Sequence, residues 1–148
     1  MKSILLCEGK TDADFFQYYM RKVHQWEDGR AVDIKNNDFK PKGFTFGRML
    51  IKENDELFLI ALNGCGDIIN GVKEIFEYNI QNRPTDIFKK IVFVTDNDDE
   101  NSISDRVAEV GGIIREMSIS CGAELENAKW IDLHYRNVMG EADALSGG

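Results

Sequence analysis

Two stretches decide how this chain is read: Ile4-Leu5-Leu6-Cys7-Glu8-Gly9, and Ile91-Val92-Phe93-Val94-Thr95-Asp96-Asn97-Asp98-Asp99-Glu100. Each begins as a short apolar run and ends in acids. A short continuous apolar run is the signature of a strand buried on both faces, as in a parallel sheet. The charges begin where each strand should stop. In an open α/β sheet that is the edge where ligands bind. If the two strands are neighbours, Glu8, Asp96 and Asp98 converge there. Packed carboxylates repel one another strongly in a low dielectric, so a cation or shared protons should accompany them. Oxygen-only ligands favour Mg²⁺ or Mn²⁺.

Working outward, strand and helix signals alternate. After the first strand, Thr11 is a suitable N-cap, and Asp12 and Asp14 suit the positive end of a helix dipole. Phe15, Phe16, Tyr19, Met20, Val23 and Trp26 recur at helical spacing, which predicts a core-packed aromatic stripe. Residues 27–56 read as an insertion or a mobile flap. Within it, 31–35 suggests a short strand, 36–43 a loop and 46–52 a short helix. Leu57 to Leu62 is another buried-strand run, ending in the glycine turn Asn63-Gly64-Cys65-Gly66-Asp67. A helix follows, with Ile68, Ile69, Val72, Ile75, Phe76 and Ile80 on its buried face and Pro84 beyond its end. Past the second acidic cluster, Ser102 or Ser104 caps a third helix. The Gly111-Gly112 pair invites a kink there. Residues 129–134 read as a fourth strand, and the last residues carry little structural signal.

The order β-α-(insert)-β-α-β-α-β predicts an α/β fold: one domain spanning 1–148, with a doubly wound, mainly parallel sheet of about four core strands and flanking helices. With 148 residues and 43% hydrophobic content, the chain can bury roughly two thirds of its unfolded surface, enough for such a core. No apolar run approaches the ~20 residues of a membrane span, and the four-residue run before Glu8 is too short for a signal peptide. The expected compartment is the cytoplasm, with no membrane partner.

Three cysteines, Cys7, Cys65 and Cys121, form no C-x-x-C pair, which argues against a zinc cage or a disulfide framework. Cys7 reads as a small buried hydrophobe. Tyr18, Tyr19, Tyr78 and Tyr135 are each accounted for by packing. The net charge of −8 counts against a large nucleic-acid footprint, although a local basic face remains compatible with it. No G-x-G-x-x-G follows the first strand, so a dinucleotide site is disfavoured. A phosphoacceptor receiver domain needs an acidic pair after strand one and a lysine after strand five, and neither is present.

Glu8-Gly9-Lys10-Thr11-Asp12 after the first strand, Gly64 after the next core strand and Asp96-Asn97-Asp98 after the third together resemble the Toprim domain. That metal-binding module is shared by topoisomerases, bacterial primases, recombination-repair proteins, small ribosomal-RNA maturases and OLD-type nucleases. The resemblance runs from about residue 3 to residue 133. It implies a Toprim/Rossmann-like fold and Mg²⁺- or Mn²⁺-dependent phosphodiester chemistry on DNA or RNA. Glu8 would be the general acid or base, or a metal ligand. Asp96 and Asp98 would be metal ligands, and Gly9 and Gly64 would admit phosphate. Lys10 at the helix start would help hold that phosphate, with Asp12 and Glu100 as secondary acids. The chain lacks a primase-like zinc region and a second domain carrying a topoisomerase tyrosine. The expectation is therefore a stand-alone nuclease, or else a non-catalytic metal- or phosphate-binding module acting through a protein partner.

Overall fold

A computed structural model describes residues 1–95, 102–126, 129–136 and 142–147. Its centre is β1 (Lys2–Cys7), which pairs in parallel with β4 (Asp55–Ala61) on one edge and β5 (Phe88–Val94) on the other. Beyond β4 the sheet continues through β3 (Phe46–Lys52) and β2 (Glu27–Ala31), each pairing antiparallel with its neighbour. The order is β2-β3-β4-β1-β5, and only β3 runs against the others. The expected α/β class is thus found, with five strands in the central sheet.

Alternation along the strands explains why both faces need cover. Ile4 and Leu6 of β1, with Phe58 and Ile60 of β4 and Leu62 just beyond it, point to one face. There they meet α2 (Cys65–Gln81) through Ile68, Val72, Ile75 and Phe76, and α3 (Ser102–Glu116) through Val110, Ile113 and Ile114. Leu50, Leu57 and Leu59 point to the other face, against Phe16 and Met20 of α1 (Lys10–Val23) and Trp26 after it. Cys7 and Ala61 meet Ala13 of α1 on that same side. α2 ends at Gln81, before Pro84, as its stop signal predicts, and α3 runs unbroken through Gly111-Gly112.

Several expectations are corrected. The 27–56 segment is not a flap: it supplies β2 and β3, which widen the central sheet. Phe46–Lys52 is a strand, not a helix, because a two-residue turn at Glu53-Asn54 (Glu53 φ 56°) folds it back on β4, pairing Lys52 with Asp55 and burying Met49 and Leu50. The predicted fourth strand does not join the central sheet. As β7 (Ile131–Arg136) it lies between β6 (Ser120–Cys121) and β8 (Ala142–Gly147) in a separate antiparallel sheet, so the chain's last residues also pair. Thr11 is not the N-cap of α1; Gly9 is, in extended conformation, with no side-chain cap.

The aromatic stripe is corrected as well. Phe16, Met20 and Trp26 pack on the sheet, but Phe15, Tyr19 and Val23 are exposed by 59%, 40% and 56%, and Tyr18 by 64%. Only Tyr78, against Phe39 and Phe88, and the buried Tyr135 are tyrosines explained by packing. No described helix is long and apolar enough to cross a membrane.

A buried amide ties α2 to β5. Asn79 donates from Nδ2 to the Phe88 carbonyl (3.1 Å) and accepts the Phe88 N–H at Oδ1 (2.9 Å). Burial pushes the Tyr135 phenol well above its ordinary pKa. Asn79 lies close enough to draw it back in part. Yet the Tyr135 hydroxyl has no partner within hydrogen-bonding geometry among the described residues. Asn79→Ala leaves two buried backbone groups unpaired and should cost about 2–4 kcal/mol in a urea melt. Tyr135→Phe should cost nothing or raise stability by up to about 1 kcal/mol, because it removes a buried hydroxyl without breaking a bond.

Candidate functional site

The register of the three parallel strands builds the site. Cys7, the last residue of β1, stands opposite Ala61 of β4 and Val94 of β5. Glu8, Leu62 and Thr95 therefore leave the sheet at one edge, the C-terminal edge of the parallel strands. The turns after β1 and β4 are joined there through backbone: Leu62 N–H donates to the Cys7 carbonyl (2.9 Å) and Gly64 N–H to the Glu8 carbonyl (3.1 Å).

Two helices begin at this edge. Gly9 caps α1 and Gly64 caps α2, and neither supplies a side-chain bond to the first helical N–H groups. The opening turns of a helix hold unsatisfied donors and the positive end of its dipole, which suits an anion. Glu8 is half-buried between these helix starts, and Asp12 is half-buried in the first turn of α1. Lys10 is exposed, its Nζ 5.6 Å from the centre of the Phe46 ring on β3. The edge also carries exposed Asn63 and half-buried Thr95. As residues, these read only as turn and strand end; their position beside the acids is the signal.

The two glycines differ in what they require. Gly64 has φ +97°, a conformation other residues adopt only with strain, and among the described residues no atom beyond its chain neighbours and own helix backbone lies within 4 Å of a Cβ built there. Gly9 has φ −151° and ψ 164°, which any residue adopts, and the space over it is equally open.

Cys7, under this edge, is not a nucleophile. Burial pushes its thiol up to about 12, with the Asp12 charge adding to the rise and a backbone hydrogen bond at Gly9 opposing it. It is therefore protonated near neutrality and behaves as the small hydrophobe that its strand position predicts.

Glu8, Gly9, Lys10, Asp12 and Gly64 are thus gathered at one edge, while Asp96, Asp98 and Glu100 lie outside the described residues. Among the described residues no three His, Cys, Asp or Glu side chains are grouped to hold a metal. Glu8 and Asp12 offer the oxygen donors that Mg²⁺ or Mn²⁺ takes, but do not complete a ligand set by themselves. An open hollow of about 690 Å³ lies elsewhere, between α3 and residues 119–126, lined in part by Arg115, Cys121 and Glu124, and it shares no residue with this edge.

Comparison with protein-family models finds no match, and comparison with curated proteins finds none. Among solved structures, the chain is similar to a hypothetical protein from Pyrococcus horikoshii OT3, with TM-score 0.62 and 18% identity over 89% of this chain. The match covers 51% of that protein, so the chain spans about half its length. At this identity the likeness is one of fold.

Gly64→Ala should lower stability by about 1–3 kcal/mol, the cost of an L-residue at positive φ, since no clash adds to it. Gly9→Ala should lie within about 0.5 kcal/mol of wild type. Paired thermal and urea melts check both, and an equal loss at the two positions would contradict this geometry.

Proposed function

We propose that this chain is a cytoplasmic Toprim-type nuclease, cleaving or transferring phosphodiester bonds in DNA or RNA with the help of Mg²⁺ or Mn²⁺. The observation that carries the reading is the register of Cys7 with Ala61 and Val94, which ends three parallel strands together at the Glu8 turn. The D-x-D sequence follows immediately after the last of these strands. The crossover from β4 through α2 to β5, with β1 seated between them, supports a Rossmann-like winding.

In this reading Asp96 and Asp98 are the metal ligands, and Glu8 moves a proton at the reacting phosphate or shares the metal. The metal, when bound, polarises a phosphoryl oxygen and offsets charge in the transition state. The uncapped N–H groups after Gly9 and Gly64 receive phosphate oxygens. The open space over both glycines leaves room for that approach. Lys10, exposed at the start of α1, adds a positive charge at the entrance.

The test is nicking of single- and double-stranded DNA and RNA at low salt with Mn²⁺ or Mg²⁺. Wild type should cut, and Glu8→Gln should lose about 10²–10⁴-fold, the usual worth of a positioned acid or base. Both ions should also raise the melting temperature by mass action, and Asp96→Asn with Asp98→Asn should abolish that rise. A metal-dependent rise without cleavage would replace the enzyme with a binding module acting through a protein partner. A melting curve indifferent to millimolar divalent ions would remove the metal reading altogether.

A further inference from the structure

We propose that α1 is a self-association surface, pairing antiparallel with α1 of a second copy of this chain. Ala13, Phe16 and Met20 face the sheet and fix the rotation of the helix. That leaves Thr11, Phe15, Tyr18 and Lys22 exposed on the opposite side. Their four-three-four spacing is that of a helix-packing seam. The rings that Phe15 touches belong to the same helix: Phe16 edge-on at 5.4 Å and Tyr19 stacked at 6.2 Å. Tyr19 in turn meets His24 at 5.3 Å, so the apolar surface runs on past the end of α1.

Charge selects the occupant. Asp14 and Arg21, both exposed, lie seven residues apart and so flank the seam on the same side. A two-fold axis makes each contact occur twice with its members exchanged. With Phe15 packed on Tyr18 of the second copy, an antiparallel pair brings Asp14 of each copy to Arg21 of the other. The seam is therefore complementary to itself. Asp28, whose carboxylate feels Arg21, is already gripped by Arg48 through two bonds of 2.6 Å each. A polyanion is disfavoured by the chain's net charge of −8.

The size of the patch sets the strength. At ~200 Å² per aromatic side chain, the exposed parts of Phe15, Tyr18 and Tyr19 amount to about 300 Å² per copy. A standard stable interface buries ~800 Å² per partner. Even with its polar flanks the seam falls in the small size class of weak, transient association.

Sedimentation of the full chain from about 1 to 500 µM reads this out, the range extending into weak association. Mass should rise from monomer toward dimer across it. Asp14→Arg and Arg21→Asp should each be monomeric throughout, because each places like charges together twice. Mixed in equal amounts, the two variants should associate again. One then presents arginine at both positions and the other aspartate at both, so opposite charges meet at each contact. Phe15→Ser with Tyr18→Ser should also be monomeric, with unchanged far-ultraviolet circular dichroism. Wild type that stays monomeric at the highest concentration overturns the proposal. So does a dimer that survives both charge variants, or a mixture that fails to reassociate.

Discussion

Strand β1 is the constraint on which the rest of the structure depends. It is hydrogen-bonded along both edges, to β4 and β5, and covered on both faces, by α1 on one and by α2 and α3 on the other. Ile4 and Leu6 are buried on the α2 side and Cys7 on the α1 side. Full burial of one such aliphatic side chain stabilises by about 1.5–3 kcal/mol, so a polar group within this strand would be expensive. Lys2 and Ser3 at the start of β1 are half-buried, and the apolar run from Ile4 ends at Cys7. The chain's first acid, Glu8, stands directly after that run.

The same constraint makes the edge a place for chemistry. Parallel strands in register end together, and β1 and β4 are each followed by a turn into a helix. These two turns are locked to each other by the Gly64 N–H bond to the Glu8 carbonyl. That bond holds Gly64 in a conformation suited to glycine and leaves the helix starts uncapped by side chains.

Helix α1 shows how one element serves two neighbours. Its inner face is narrow, built on Ala13, Phe16 and Met20, because it lies over strands already filled by Leu50, Leu57 and Leu59. Its remaining aromatics have no room inside and stand in solvent. An exposed row of large rings is unusual for an isolated surface helix and is typical of a surface that meets another molecule.

The sequence by itself determined the parts that burial dictates locally. The apolar runs at 4–7, 57–62 and 91–94 read as buried strands, and all three are strands of the central sheet. The apolar spacing from Ile68 to Ile80 could only be a helix with one dry side, and the acids and glycines after the strands marked the edge. Tertiary structure decided what such patterns leave open. Phe46–Lys52 has the composition for either a helix or a strand, and pairing with β4 chose the strand by giving its backbone partners and its Met49 and Leu50 a core. Periodicity set Phe15, Phe16 and Tyr19 on neighbouring positions of one helix, but only the width of the surface beneath it determined that Phe16 alone is covered. Ile131–Arg136 alternates as any strand does, and nothing in that alternation says that it pairs with β6 and β8 rather than with the central sheet. Hydrophobic pattern specifies that a surface must be buried; the partner that buries it is set by the whole fold.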